Sequence, residues 1–339
     1  MIIVLKPRIS RKEEQSILKE IRKLGYVPHV MRGVARTVIG AIGDELTHAN
    51  LETLVAQFPR VVESVVPIQK RYKLVSREAH PANSTTRVGD QVIGGKRFHV
   101  MAGPCSVESE KQLLTTAEAV KAAGATFLRG GAFKPRTSPY EFQGLGEKGL
   151  KLLDKARRAT GLPVITELLS EKHAELVAEY TDIIQIGARN SQNFQLLIAA
   201  ARTGKPVLLK RGLAMKIEEW LLAGEYILAN ENPNLLFCER GIRTFETYTR
   251  NTLDLSAVPI MKRETHCPVV VDPSQGAGRA DLVTTLCRGA VAMGADALLI
   301  EVHPNPAEAW SDGAQQVSFD RFAELMKDLK PFIHAAGRE

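Results

Sequence analysis

The chain has few residues that could cross-link it and no segment that could span a bilayer. Four cysteines occur in 339 residues, at 105, 238, 267 and 287. No CxxC pair exists, so neither a zinc ribbon nor a disulfide framework is indicated, and a reduced, cytoplasmic protein is expected. No stretch approaches about 18 uninterrupted apolar residues, so no membrane partner is expected. The first apolar run ends at Leu5 and charges follow, unlike a signal peptide. Aromatic residues are scarce at 6%, and no basic-aromatic interleaving accompanies the net charge of +7. That argues against nucleic acid as a partner.

What is present is ordinary globular composition, 44% hydrophobic and 24% charged. The length suits a barrel of about 250 residues plus a small unit. Charge is uneven: residues 1–95 hold 15 Lys and Arg against 9 Asp and Glu, and the rest hold 30 against 29. Residues 1–68 read as βαββαβ, a ferredoxin-like split motif. The strands are Ile2–Leu5, His29–Met31, Arg36–Ile42 and Val61–Val66; the helices are Arg11–Leu24 and Asn50–Gln57. Such a unit serves either as a regulatory module or as a structural lid. Residues 69–96 read as a linker and the start of a capping hairpin, Gln91–Ile93 turning through Gly94-Gly95 into Phe98–Met101.

From residue 97 to 339, short apolar runs alternate with amphipathic segments. The runs are Phe98–Met101, Thr126–Leu128, Val164–Glu167, Ile183–Gly187, Val207–Lys210, Leu235–Glu239, Val269–Asp272 and Ala297–Glu301. Continuous apolar strands separated by helices predict a (β/α)8 barrel, an α/β fold with its chemistry at the C-terminal strand ends. Those ends carry charge almost without exception. Eight basic groups stand there: Arg129, Lys134, Arg136, Arg189, Lys210, Arg211, Arg240 and Arg243. Arginine forks suit phosphate and carboxylate, so the mouth predicts a highly anionic load: two phosphorylated substrates, or one with both groups. For Arg211 and Arg243 a salt bridge to a loop acid is the competing reading.

Cys105, Glu301 and Asp312 come from the first and eighth strand regions, neighbours in a closed barrel, and Gln275 follows the seventh. A thiolate with two carboxylates suits a divalent metal; the competing reading is a buried apolar cysteine beside solvated acids. His303 is a ligand, a supporting donor, or neither. Gly144-Leu145-Gly146-Glu147-Lys148-Gly149 matches GxGxxG but lacks the strand context of a dinucleotide site, and reads as a helix approach. Cys238, Cys267 and Cys287 read as small core residues.

Several runs together resemble one family. These are Ala102-Gly103-Pro104-Cys105, Leu128 to Ser138 with its Lys134-Pro135-Arg136-Thr137 segment, Gln185 to Asn190, Leu209 to Gly212, and Cys238 to Gly241. They resemble 3-deoxy-D-arabino-heptulosonate 7-phosphate synthases of type I-beta, which carry an N-terminal ferredoxin-like regulatory domain. The related octulosonate-phosphate synthases carry an Asn-Arg-Ser/Thr version of the Lys134 segment. The resemblance implies condensation of phosphoenolpyruvate with erythrose 4-phosphate, opening the shikimate pathway to aromatic amino acids. By position it implies that Arg129, Lys134, Arg189, Lys210 and Arg240 hold phosphoenolpyruvate. Arg136 and Thr137 would grip the aldose phosphate, and Glu167 would lie near the reacting water or enol. Lys134, Glu167 and Lys210 form the catalytic set. Cys105, Gln275, Glu301 and Asp312 would hold a divalent ion, with Mn²⁺ the expected one. An aromatic amino acid effector and a homotetramer are also implied.

One position departs: Gln275 stands where the family has a histidine ligand. A more loosely held ion is therefore expected. Three other readings remain open at this level: a related synthase acting on another phosphorylated aldose, a Schiff-base aldolase using Lys210, and a non-catalytic paralogue.

Overall fold

The structure, a computed structural model, describes residues 1–7, 9–33, 37–43, 49–66 and 70–339. The chain divides into two units: Met1–Asn83 with Glu264–His266, and Ser84–Arg263 with Cys267–Glu339. The expected boundary at residues 68 and 69 lies outside the described residues. Of the expected linker, residues 70–83 fall in the first unit and 84–96 in the second.

In the first unit, β1 (Ile2–Leu5), β2 (Val27–Arg32), β3 (Thr37–Ile42) and β4 (Val62–Val66) form one sheet in the order β2-β3-β1-β4. With helices α1 (Arg11–Lys23) and α2 (Ala49–Gln57) this is the expected ferredoxin-like order. Arg36, expected to open β3, lies outside the described residues. Strand β2 is longer than its apolar run because its pairing with β3 extends from Val27↔Ile42 to Arg32↔Thr37. Helix α1 starts at a capping box: the Ser10 N–H donates to Glu13 Oε2 at 2.8 Å, and the Glu13 N–H donates to Ser10 Oγ. Its Ile17, Leu18 and Ile21 pack with Ile3, Leu5, Ile39 and Leu54. Each such burial stabilises by roughly 1.5–3 kcal/mol.

The second unit opens with a hairpin, β5 (Thr86–Val88) and β6 (Gln91–Ile93). This corrects the expected turn. Gly89, at φ 55°, and Asp90 join the strands, whereas the Phe98 run feeds into a barrel strand. A left-handed glycine fits a two-residue hairpin loop. The hairpin does cap the barrel: Val88 and Ile93 pack with Met101, Phe127, Ile165, Ile183 and Leu208 of its interior. The closed parallel barrel comprises β7 (His99–Gly103), β8 (Phe127–Arg129), β9 (Val164–Glu167), β10 (Ile183–Ile186), β11 (Val207–Lys210), β12 (Leu235–Glu239), β13 (Val269–Val271) and β14 (Ala297–Glu301). Closure comes from β14 pairing with β7, from Ala297↔His99 to Glu301↔Gly103. Gly144, at φ 93°, has room for hydrogen only, since a Cβ there would meet the Ala132 carbonyl oxygen at 2.3 Å. It leads the chain into the helix Glu147–Thr160, so the GxGxxG match is a helix approach. Cys238, Cys267 and Cys287 are buried.

Candidate active site

The C-terminal strand ends enclose a cavity of about 230 Å³. Seven cationic side chains line it, namely Arg129, Lys134, Arg136, Arg189, Lys210, Arg240 and Arg250, against the acids Glu141, Glu167 and Asp312. Thr137 and Gln275 complete much of the wall. Six of the eight basic groups read from the sequence therefore converge. Arg211 does not: its Nη1 donates to Glu239 at 3.0 Å and to Asp254 at 2.8 Å, and it serves the loop structure. Arg243 is exposed in a smaller neighbouring cavity shared with Arg189, Arg240 and Arg250. It forms no salt bridge among the described residues.

The cations differ in how far the protein already satisfies them. Arg129 Nη1 donates to Glu301 Oε1 at 3.1 Å and to the Pro104 carbonyl at 2.7 Å. Its buried Nε has no hydrogen-bond partner, leaving a donor for a ligand. Arg240 is 5% exposed and forms no salt bridge among the described residues. Burial pulls its guanidinium below its ordinary range, against the attraction of Asp272. A buried cation without a carboxylate partner is costly until an anion arrives. Lys210 Nζ donates to Asp272 Oδ2 at 2.6 Å. Arg136 Nε donates to Glu141 Oε2 at 2.9 Å near the rim. Glu167 accepts from Gln185 Nε2 at 3.2 Å. Its carboxylate lies over Gly187, where a Cβ would sit 1.9 Å from Oε1. The glycine is what allows Glu167 its place.

Cys105, Glu301 and Asp312 each offer a ligand atom, and all three lie within 4.8 Å of one another. The Cys105 thiol is pushed up to about 11, first by burial and then by Glu301, with Lys134 pulling the other way. It donates to Asp312 Oδ2 at 3.4 Å, and Lys134 Nζ lies 3.0 Å from its sulfur. Burial pushes the Asp312 carboxyl up, but Arg250 and Lys134 outweigh it and hold the group below its usual range. Asp312 adopts φ 49°, uncommon for a non-glycine residue, and so marks a constrained position. One thiol and two carboxylates at this spacing fit a divalent ion. Gln275, on the short helix Pro273–Ala277, presents its amide nitrogen to this group, 2.9 Å from Glu301 Oε1. Its oxygen faces Arg240.

His303 is not part of the group. Its Nε2 pairs with Glu108 Oε2 at 3.1 Å, and its Nδ1 accepts from the Asn305 N–H. It braces the loop that carries Asp312. Three contributors escaped the sequence reading. Arg250 donates to Asp312 Oδ1 and Gln315 Oε1, both at 3.1 Å. Gln315 Nε2 donates to Glu301 Oε2 at 2.7 Å, and Gln316 Oε1 accepts from the Cys105 N–H at 3.1 Å.

Fold and site together define a barrel enzyme that handles phosphorylated anions beside three side chains that fit a divalent ion. Residues 75–335 match the model of the DAHP synthetase I family, and residues 1–70 match the DAHP synthase ferredoxin-like domain. The chain belongs to the DAHP synthetase I family. It is 50% identical to the phospho-2-dehydro-3-deoxyheptonate aldolase of Thermotoga maritima, covering 99% of both chains. The crystal structure of the Thermotoga maritima enzyme matches with a TM-score of 0.79 at 49% identity, covering 100% of this chain and 98% of that one. A 2-dehydro-3-deoxyphosphooctonate aldolase of Caulobacter vibrioides is 35% identical, covering 74% of this chain and 91% of its own. The protein is an enzyme that condenses phosphoenolpyruvate with erythrose 4-phosphate, releasing phosphate, in the first step of the shikimate pathway.

Proposed function

We propose that the seven-cation cavity holds both substrates at once and that its residues divide the reaction as follows. Arg129, Lys134, Arg189, Lys210 and Arg240 take the phosphate and carboxylate of phosphoenolpyruvate. Arg136 and Thr137, nearer the rim, take the phosphate of erythrose 4-phosphate, with Arg136 exchanging Glu141 for it. The observation that carries this reading is the convergence of seven cations against three acids on the wall of one cavity, with Glu301 and Asp272 behind Arg129 and Lys210 leaving a net surplus of two positive charges. Two phosphates and a carboxylate are the anionic groups that so many converging cations suit.

The phosphoenolpyruvate methylene carbon attacks the aldehyde carbon, water adds at the carbon bearing the phosphate, and the C–O bond to phosphate breaks. Lys134 Nζ gives a proton to the aldehyde oxygen as it becomes an alcohol. Glu167 takes a proton from the attacking water. Lys210 and the arginines stabilise charge on the departing phosphate without reorganising. Cys105, Glu301 and Asp312 would hold a divalent ion, Mn²⁺ by the family's precedent, with Gln275 as their neighbour. That ion would polarise the aldehyde oxygen as a Lewis acid. The ferredoxin-like unit binds an aromatic amino acid as effector, and the protein works in the cytoplasm as a homotetramer.

Phosphate release with phosphoenolpyruvate tests the reading. Erythrose 4-phosphate should exceed arabinose 5-phosphate clearly in kcat/KM, and chelator should abolish turnover until Mn²⁺ is restored. Equal or better use of the five-carbon sugar would overturn the substrate assignment. Full turnover in chelator would overturn the ion.

A further inference from the structure

Gln275 sits between two carboxylates and a guanidinium. Its Nε2 donates to Glu301 Oε1 at 2.9 Å and to Asp312 Oδ2 at 3.5 Å. Its Oε1 accepts from Arg240 Nη2 at 3.1 Å. An amide has one donor end and one acceptor end, so these neighbours permit a single orientation. Turned over, it would set oxygen against carboxylate oxygens and N–H against N–H.

A cation among Cys105, Glu301 and Asp312 reverses the preference at one end. The side facing the carboxylates then favours the amide oxygen, because hard cations attract carbonyl oxygen and repel N–H. The amide cannot offer that oxygen and still accept from Arg240. Once the oxygen turns away, the hydrogen bonds Arg240 retains among the described residues are long, 3.4 Å each, to the backbone oxygens of Gln275 and Gly241. Its Nη2 is then available to the cavity that Arg240 lines.

We infer that Gln275 is a positioning residue linking the two halves of the site: without a cation its amide oxygen occupies Arg240, and with one the amide turns over and releases Arg240 to phosphoenolpyruvate. The inference rests on the roles proposed above for the ion group and for Arg240. It makes cation and substrate binding mutually reinforcing, and reciprocally so, because the coupling is a free energy shared by both ligands. A histidine at this position has no carbonyl oxygen to exchange between the two sides, so the link belongs to the glutamine.

The test measures phosphoenolpyruvate affinity by calorimetry, in chelator and in saturating Mn²⁺, for the wild type, Gln275→Leu and Gln275→Asn. Leucine keeps the volume without polarity, and asparagine keeps the amide but is one methylene short. Attraction between cation and substrate alone gives some coupling in all three proteins. In both variants the ratio of affinities, Mn²⁺ over chelator, should fall by roughly tenfold, or about 1.4 kcal/mol. The fall should come chiefly from tighter substrate binding in chelator, where Arg240 is no longer occupied. A residue with only a structural role would weaken binding in both conditions. Mn²⁺ affinity, followed by paramagnetic resonance with and without phosphoenolpyruvate, should show the same loss of coupling. Ratios equal to wild type, with Mn²⁺ and substrate both still binding, would overturn the link and leave the site assignment standing. A wild-type protein that binds no Mn²⁺ would overturn the ion assignment and the link with it.

Discussion

The Lys210 ammonium and the Asp272 carboxylate, both buried, meet at 2.6 Å. A lysine acting as a nucleophile would have to leave that carboxylate, and breaking such a pair strands a buried charge at a cost of about 3–5 kcal/mol. The pair suits a fixed cation facing an anionic substrate. Borohydride with pyruvate, a keto acid, should therefore leave the protein mass unchanged. A trapped adduct on Lys210 would restore the Schiff-base reading.

Arg136 should govern the aldose and little else. It is paired with the half-exposed Glu141 and is itself less buried than Arg129, Lys210 or Arg240. Arg136→Ala should raise the KM for erythrose 4-phosphate by tenfold or more, the loss of about 1.4 kcal/mol of charge-assisted binding. The KM for phosphoenolpyruvate should move less. Steady-state kinetics with each substrate varied in turn would show it, and an equal rise in both would place Arg136 in a shared role.

Gln275→His adds an imidazole donor beside Cys105, Glu301 and Asp312. Mn²⁺ should bind about tenfold more tightly, or ~1.4 kcal/mol. Cys105→Ala should remove ion-supported turnover. Titration by paramagnetic resonance reads the first, and turnover against added Mn²⁺ the second. Undiminished turnover in Cys105→Ala would remove the cysteine from the ion group.

A chain beginning at Ser84, where the second unit begins, retains the hairpin and all eight barrel strands. The shortened protein should keep its turnover and lose inhibition by phenylalanine or tyrosine. If the intact enzyme ignores all three aromatic amino acids, the first unit is a structural element only.

His266 makes the first unit sensitive to acid. Its Nε2–H donates to the Leu74 carbonyl at 2.8 Å, and burial pushes the imidazole down to about 4. Unfolded histidine titrates near 6.5, so between these values the unfolded chain binds the extra proton. Stability is therefore full above pH ~6.5 and declines as pH falls toward 4, by up to about 3 kcal/mol. Denaturant midpoints at pH 7 and pH 4.5 should differ more in the wild type than in His266→Gln.

The sequence made the barrel and most of its mouth legible because one rule, chemistry at the C-terminal strand ends, places many residues at once. Arg250 escaped that rule. It lies well past Glu239 in a long loop, and only the folded loop returns it to Asp312. The hairpin was misread because Gly89 and Gly94 are both turn residues, and apolar content could not show which strand the Phe98 run would join. The orientation of the Gln275 amide was beyond reach, since Arg240, Glu301 and Asp312 come from three different strand ends or loops.

The pairing of β14 with β7 also sets an order of events. Cys105 lies near the start of the barrel and Glu301 on its last strand, so a ribosome delivers one long before the other. A nascent chain carries the Cys105 thiol without Glu301 and Asp312 until the final strand and its loop emerge. The three side chains therefore come together only with barrel closure, and a cation bound among them would report a closed barrel.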